Sequence, residues 1–306
     1  MKYIVTGAAG FVGQALVNEL ISEKNQVLVL VRNTCKIPCE WKENKLLTIL
    51  AVEMKNYSEI ANDIKERDFD VFIHLAWAGT SGMERADVDL QLNNVRYCCD
   101  AVRLAASLGC KKFLNAGSIM EYEAMQFIPK DGSQPGMGNI YSTAKMTADF
   151  MAKATSVKEG INYNNIIISN IYGAGEKSQR FLNTTLRKMM KNESIPLTHG
   201  EQLYDFIYID DAVKAIRKVA ENDDICNEAV YIGNSVQRPL KEFILEMKEA
   251  AGSTSELLFG KIPFNGALLC YNEFDTLKLE NRLEFTPTIS FAKGIELTKQ
   301  WLEEQE

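Results

Sequence analysis

The sequence predicts an α/β fold, a doubly wound parallel sheet with a smaller C-terminal lobe. Three observations predict it. Short apolar runs alternate with segments of helical period through the first half of the chain. A glycine-rich turn in KYIVTGAAGFVGQALVNEL joins the first run to the first helical segment, with Gly7, Gly10 and Gly13 in it. Past Gly173 the strict alternation stops.

Taken in order, Lys2 to Thr6 is a β-rich run, and from Phe11 the apolar residues Phe11, Val12, Ala15, Leu16 and Leu20 recur at helical spacing. Gln26 to Val31 is continuously apolar after its first residue and reads as a parallel strand buried on both faces. Leu46 to Val52 is a third strand, Ser58 to Lys65 a helix, and Val71 to Ala76 a fourth strand ending in small residues. A long helix is expected from Val88 to Leu108, a strand over Lys112 to Ala116, a helix over Ser142 to Ser156 and a strand over Ile166 to Asn170. Such alternation requires right-handed crossovers and puts helices on both faces of the sheet, which is a Rossmann fold. Beyond it come a helix over Ser178 to Lys191, the segment Phe206 to Tyr208 before a second helix from Asp210, a late strand over Val230 to Gly233, and helices with loops from Leu240. A ligand of such a sheet sits beyond the carboxyl ends of its strands, where a lobe would close the cleft.

Composition narrows the function classes. The 306 residues are 46% hydrophobic, enough for one large domain or one domain plus a lobe. A net charge of −7 with scattered Lys and Arg argues against nucleic acid or an anionic membrane surface as partner, while an anionic small ligand stays open. Met1 to Thr6 run directly into the glycine turn, which leaves no room for a signal peptide, and no apolar stretch is long enough for a bilayer. The expectation is a cytoplasmic protein. Seven cysteines, an odd number spread along the chain, suit reduced thiols. No metal is expected either: Cys35 and Cys39 lack a second ligand pair nearby, and His74 and His199 lie in different segments.

The glycine turn carries the first chemical reading. A pyrophosphate needs donors without side chains in the way, and a helix N-terminus offers unpaired N–H groups and a favourable dipole. Nucleotide binding is therefore predicted at Gly7, Gly10 and Gly13; the alternative is an ordinary strand–helix turn. Tyr141 and Lys145, four apart in YSTAK, share one face at the start of a helix. That pair alone could be a surface pair, but Ser118 follows the strand of Lys112 to Ala116 at the sheet edge where the cleft is expected.

Several motifs coincide with these residues: TGAAGFVG, DVFIHLAWAG at Asp70 to Gly79, NNV at Asn93 to Val95, NAGSIMEY at Asn115 to Tyr122, YSTAK, NIYGAG at Asn170 to Gly175, and YDFIYIDDAVKAI at Tyr204 to Ile216. In these the chain resembles, over nearly its whole length, the extended short-chain dehydrogenase/reductase family of nucleotide-sugar epimerases, dehydratases and reductases. The resemblance implies that Tyr141 is the catalytic acid/base, that Lys145 holds the nicotinamide ribose and lowers the Tyr pKa, and that Ser118 hydrogen-bonds the reacting oxygen. A free Tyr titrates near ~10, so proton transfer at neutral pH needs the nearby cation. By the same resemblance Gly7, Gly10, Phe11, Val12, Gly13, Arg32, Glu53, Met54, Leu75, Ala76, Trp77, Asn94, Tyr141 and Lys145 contact the cofactor. Thr80, Ser81, Ser118, Asn170 and Arg180 contact the substrate. Residues 1–173 with about 204–235 would form the dinucleotide-binding domain, and about 174–203 with 236–306 the substrate lobe. Many relatives dimerise through the helices around Asn94 to Leu108 and Ser142 to Ser156, which implies a homodimer.

Departures from the family pattern shape the reaction expected. Arg32 stands where members that prefer NAD place an Asp, and its fork of donors suits a 2′-phosphate, so NADP is preferred over NAD unless Arg32 only faces solvent. The 4,6-dehydratases carry an acidic pair directly after the residue aligned with Ser118; here Ile119 and Met120 follow, which disfavours dehydration. Glu121 and Glu123 are shifted from those positions and are expected to be exposed charges. A 4-keto-sugar reductase using NADPH and a 4-epimerase retaining NAD share the same three catalytic residues, and Arg32 favours the reductase. Two arginines common in the family are replaced by Ile167 and Tyr204, which weakens the case for a standard diphosphate contact; Arg180, Lys177 and Arg238 are the substitutes or are surface charges. Trp77 either walls the cleft or fills the core. A different class, a non-catalytic NAD(P)-binding sensor or structural subunit, is disfavoured by the intact Ser118, Tyr141 and Lys145.

Overall fold

Apolar runs that leave no polar face can be satisfied only inside a sheet covered on both sides, and the computed structural model, which describes residues 1–127, 139–264 and 268–305, places them there. In chain order the elements are β1 (Lys2–Thr6), α1 (Phe11–Ser22), β2 (Gln26–Val31), β3 (Leu47–Ala51), β4 (Val71–His74), α2 (Val88–Ser107), β5 (Lys112–Ser118), α3 (Met120–Phe127), α4 (Asn139–Glu159) and β6 (Asn162–Ile168). There follow β7 (Asn170–Tyr172), α5 (Phe181–Met190), β8 (Ile195–Pro196), β9 (Leu203–Tyr204), β10 (Phe206–Tyr208), α6 (Ile209–Glu221) and β11 (Ala229–Ile232). The last are β12 (Arg238–Pro239), α7 (Leu240–Ala250), β13 (Leu257–Leu258), α8 (Lys278–Leu283) and α9 (Phe291–Glu303). The chain divides into two compact units, residues 1–168 with 216–230, and residues 169–215 with 231–306.

The main sheet has the order β11-β6-β5-β4-β1-β2-β3. Its registered pairs β1–β2, β1–β4, β2–β3, β4–β5 and β5–β6 are all parallel. This is the doubly wound arrangement, with the order reversing at β1, and it brings the carboxyl ends of β1 to β6 to one edge. On one face an aromatic ladder runs across neighbouring strands: Phe72 is registered with Phe113 and Phe113 with Tyr163, their rings 5.2 Å and 6.1 Å apart and nearly parallel. Helices α2 and α4 pack along one another, and Ala144, Ala148 and Ala152, spaced by one turn on α4, present a small-residue stripe to the core shared with Val95, Cys98 and Val102 of α2.

Most expected elements are present. The segment from Ser58 to Lys65 differs: it forms a short 3₁₀ turn, Ile60–Asn62, with another at Met54–Asn56 before it. Eight residues are too few to hold an isolated helix, and here Ile60 and Ile64 are pinned in the core while the Arg67 guanidinium takes the carbonyls of Ala61 and Ile64 that a helix would have used. The expected strand over Ile166 to Asn170 is two strands, β6 and β7, on either side of Ser169.

The second unit is built on short strand pairs, β7 with β10, β9 with β12 and β8 with β13, and on an aromatic core. Phe243 lies 5.0 Å from Phe206 and 4.8 Å from Phe291, both edge-on, and the Tyr172 hydroxyl donates to the Phe291 carbonyl at 3.1 Å. Asp205, fully buried, accepts from the Tyr231 hydroxyl at 2.7 Å and from the backbone N–H groups of Asn234 and Ser235 at 3.0 Å, so its carboxylate is compensated on three sides. Among the described residues no helix is long and apolar enough to cross a membrane.

Candidate active site

The turn after β1 is shaped by its three glycines in three ways. Gly7 has φ +70°, and a Cβ there would lie 2.6 Å from the backbone nitrogen of Ala76. Gly13, in the first turn of α1, faces the Gly7 carbonyl, and a Cβ would lie 2.6 Å from Ala8 Cα. Only at Gly10 does the polypeptide make little demand: a Cβ would meet nothing nearer than the Gly7 carbonyl oxygen at 3.3 Å. Gly10 is the N-cap of α1, no side chain caps that end, and no acidic residue occupies its first turn, where Phe11 and Val12 are half-buried. The cradle therefore presents backbone N–H groups and the positive end of a helix dipole, which fit a pyrophosphate.

The loop after β4 is tied to this turn. Thr6 Oγ1 accepts the Ala76 N–H at 3.2 Å and bonds His74 Nδ1 at 2.9 Å, and the Leu75 N–H reaches the Thr6 carbonyl at 3.3 Å. Burial holds His74 neutral, its pKa pushed down to about 3. Further along, Gln91 Nε2 donates to the Gly79 and Glu84 carbonyls while its Oε1 accepts Trp77 Nε1–H at 2.8 Å. Asn94 accepts the Ala78 N–H at 3.0 Å and returns a bond to the Ala78 carbonyl at 2.8 Å. Asn94 thus holds the loop backbone with both ends of its amide. Thr80 and Ser81 are exposed on that loop. Arg32, just past β2, is exposed; Glu53 and Met54 follow β3, and Glu53 pairs with Lys55 at 2.7 Å with Arg32 close enough to hold its carboxyl further below the usual range.

At the end of β5 the catalytic candidates converge. Lys145, 5% exposed, donates from Nζ to the Ala116 carbonyl at 2.8 Å and sits 3.7 Å over the Trp77 ring. Tyr141, one helical turn earlier and 8% exposed, meets Trp77 edge-on at 6.2 Å. Trp77 packs against the core, and both Lys145 and Tyr141 meet its ring. Burial pulls the Lys145 ammonium below its ordinary pKa, while Glu121 and Cys98 push it back up. Ser118 closes β5; its Oγ accepts the Met120 N–H at 3.2 Å, and its N–H donates to Glu121 Oε1 at 2.7 Å.

Two findings correct or extend the sequence reading. Glu121 and Glu123 are not exposed charges: Glu121 is 4% exposed, and half-buried Glu123 accepts the Ser142 hydroxyl at 2.7 Å. They turn inward because α3 begins at Met120, directly after the strand, so its first turn folds back on the strand end. Arg85, absent from the sequence reading, places its guanidinium carbon 4.4 Å from the Tyr141 ring centroid, with Nε buried and without a hydrogen-bond partner among the described residues. No motif flags it, and only the 3₁₀ turn Gly82–Ala86 brings it there.

Asn170 and Arg180 belong to the second unit. Asn170 donates from Nδ2 to the Asp205 carbonyl at 3.0 Å, and Arg180 caps α5, half-exposed and 3.9 Å from Glu176. Of the other cations considered for a phosphate, Lys177 is exposed, while Arg238 is engaged by Glu246 at 2.6 Å and stacks on Phe243, so it is a structural cation and not a free surface charge.

The chain is similar to several known proteins. The chain is 25% identical over 262 residues to a CDP-abequose synthase of Yersinia pseudotuberculosis, covering 81% of this chain and 85% of that one. It is 24% identical to a putative UDP-glucose 4-epimerase of Methanocaldococcus jannaschii, covering 98% and 97%. The fold matches the X-ray structure of Pal from Bacillus thuringiensis with a TM-score of 0.82 at 18% identity, and MoeE5 in complex with UDP-glucuronic acid and NAD with a TM-score of 0.80 at 20% identity, with this chain and each of those two covered in full. Residues 3–233 match a family described as the NAD dependent epimerase/dehydratase family, and with its cradle, strand edge and Ser118, Tyr141 and Lys145 in their order, the chain belongs to that family.

Proposed function

We propose that the chain is an NADPH-dependent reductase of a 4-keto sugar carried on a nucleoside diphosphate. The observation that carries this reading is the gathering of Ser118, Tyr141 and Lys145 at the end of β5, with Ile119 buried and Met120 apolar where a second acid and base would be needed to eliminate water. When bound, the nicotinamide supplies the hydride. Tyr141 gives its phenolic proton to the oxygen that becomes the new hydroxyl, and the Ser118 hydroxyl hydrogen-bonds that same oxygen. Lys145 and Arg85 are cations beside the phenol, and each favours the phenolate left after proton transfer. Several relatives bear the names of CDP-, UDP- and dTDP-linked sugars, CDP among the first, which supports a sugar nucleotide and puts CDP first in a substrate screen.

Arg32 supports NADP, because an exposed guanidinium past β2 suits a 2′-phosphate. The second reading, a 4-epimerase with tightly held NAD, is favoured by Glu53, whose carboxylate lies within electrostatic reach of Arg32 and reduces the positive charge there. A thermal-shift screen of CDP, dTDP, GDP and UDP sugars with each nicotinamide, followed by turnover at the nicotinamide absorbance band, tests both. Consumption of NADPH with a 4-keto sugar nucleotide is expected; interconversion of nucleotide hexoses without any absorbance change would overturn the reductase. Tyr141→Phe is expected to abolish turnover with cofactor affinity intact; unchanged turnover in that variant would refute the role given to Tyr141, and cofactor binding by the wild-type protein without turnover of any sugar nucleotide would leave only a cofactor-binding protein.

The same reading includes a homodimer in the cytoplasm. Phe150 and Val157 on α4 are 63% and 73% exposed and Leu92 on α2 is 59% exposed, apolar side chains on the two helices through which a second copy would dock. A monomer mass by light scattering would overturn it. Seven free thiols suit a reducing compartment.

A further inference from the structure

Burying a carboxylate is expensive unless it is hydrogen-bonded and paired, so Glu121, 4% exposed, calls for a physical reason. Its two oxygens have different partners. Oε1 accepts the Ser118 N–H at 2.7 Å, and Oε2 accepts Asn165 Nδ2–H at 3.0 Å. Asn165 is fixed in turn, because its Oδ1 accepts Asn115 Nδ2–H at 2.9 Å, and Asn115 Oδ1 accepts the Cys98 thiol at 3.3 Å. This orientation leaves Asn165 no second acceptor for Glu121, so only a carboxyl oxygen, and not an amide NH₂, suits the position. Room for the network comes from Gly117: a Cβ there would lie 2.7 Å from Glu121 Oε1 and 2.6 Å from Asn165 Oδ1.

Two neutral donors do not neutralise a buried negative charge. A buried cation on the same stretch of β5 is Lys145, which donates to the Ala116 carbonyl two residues before Ser118 and lies over the face of Trp77, both uncharged partners. Each therefore supplies the charge that the other lacks. We propose that Glu121 is a positioning residue of this site, one that fixes the Ser118 backbone through its N–H and serves as the buried counter-charge that keeps Lys145 protonated. The proposal rests on the reading of Ser118, Tyr141 and Lys145 as the catalytic set.

Other titratable groups face this pair from every side. Burial, and after it Asp149 one turn beyond Lys145 on α4, push the Glu121 carboxyl up to about 7, while the Ser118 N–H, Lys145 and Asn165 hold it down, so the carboxylate is the prevailing form in the range where Lys145 loses its proton. Asp149 is itself held by the Tyr163 hydroxyl of β6 at 2.9 Å. From α2 the Cys98 thiol, and from β4 His74, complete the surround; burial leaves both uncharged. Removal of the Glu121 charge then takes away the larger of the two influences that hold the Lys145 proton against burial, and the proton is lost at lower pH.

The test follows the Lys145 resonance in the cofactor-free protein with isotope-labelled lysine, assigned by its loss in Lys145→Met, together with hydrogen exchange of the Ser118 amide. In Glu121→Gln the Lys145 titration is expected to move down by about one pH unit. In Glu121→Ala the Ser118 amide is expected to exchange at least roughly tenfold faster, since its acceptor is gone. Glu121→Asp, which keeps the charge and shortens the reach, is expected to return the Lys145 titration toward wild type while Ser118 exchange stays fast. An unmoved Lys145 titration in Glu121→Gln, or slow Ser118 exchange in both Glu121→Ala and Glu121→Asp, would overturn the proposal. If Glu121→Gln does not fold, Glu121→Asp decides through Ser118. None of these readouts needs a substrate, so normal turnover in Tyr141→Phe would break the catalytic reading separately.

Discussion

The three glycines of the β1–α1 turn should be separable by alanine substitution, because the structure asks something different of each. At Gly10 the backbone has φ −82° and ψ 171°, which alanine adopts freely, and the nearest atom to a new Cβ is 3.3 Å away. Alanine restricts the unfolded chain, a gain of about 0.4–1 kcal/mol, and is a poorer N-cap than glycine by about the same amount. Gly10→Ala should therefore change stability by less than about 1 kcal/mol. Its methyl group would nevertheless stand where the backbone meets a pyrophosphate, and the loss of one charge-assisted N–H bond, about 1.5–3 kcal/mol, weakens cofactor binding roughly ten- to a hundredfold. Gly7→Ala meets the left-handed penalty of about 1–2 kcal/mol and a backbone nitrogen 2.6 Å away. Gly13→Ala gains about 1 kcal/mol of helix propensity but drives α1 off Ala8 and the Gly7 carbonyl, an overpacking cost of about 1–3 kcal/mol or more. Urea denaturation without cofactor, and calorimetry with NADPH and NADH, read the two effects apart. A Gly10→Ala protein that binds both cofactors like wild type, or one as destabilised as Gly7→Ala, would refute the assignment of this turn as a phosphate cradle.

Other perturbations follow from single contacts. Arg32→Ala should raise the Kd for NADPH roughly tenfold or more and leave NADH nearly unchanged, since only the 2′-phosphate loses a partner; equal effects on the two cofactors in calorimetry would remove Arg32 from the site. Arg85→Met should lower kcat about two- to thirtyfold, the worth of about 0.5–2 kcal/mol of cation–π interaction with Tyr141, with the melting temperature little changed; Arg85→Lys should recover part of it, and an unchanged kcat would show that the stacking has no role. His74 is neutral in the fold with its pKa down at about 3, below the ordinary 6.5, so its contribution is complete above about 6.5 and is lost as pH falls through that window. Stability should drop there with a slope of up to about 1.4 kcal/mol per pH unit, and His74→Asn, which cannot titrate, should flatten the curve of denaturation midpoint against pH; an equally steep curve in the variant would place the titration elsewhere.

The elements were legible because parallel strands buried on both faces leave an unmistakable apolar run, as in Gln26–Val31, and the parallel registers then carry the strand ends to one edge. Legibility failed where a side chain's direction mattered more than its spacing. Nothing in the order of residues tells that Arg67 takes the carbonyls of the segment before it, or that Gln91 and Asn94, polar residues on a helix otherwise facing the core, point into the loop after β4 and hold it in place. Arg85 lies 56 residues before Tyr141 and on a turn with no helical or strand period, so its approach to the phenol is a property of the fold alone.

Glu121 shows the same limit most sharply, and it bears on the chemistry. Counting from Ser118 finds Ile119 and Met120 in the positions of an acidic pair and leaves Glu121 one place too far. Because α3 starts at once, that extra place turns the carboxylate inward, under a strand end that Gly117 keeps open. There both of its oxygens are taken, one by the Ser118 N–H and one by Asn165. A carboxylate so held is buried and committed to the strand end and to Asn165, which sets it apart from an acid presented to a sugar carbon or its leaving hydroxyl. If Ser118 and Tyr141 act as proposed, an acid bound in this way supports the site and is not the additional acid or base that a dehydratase would need.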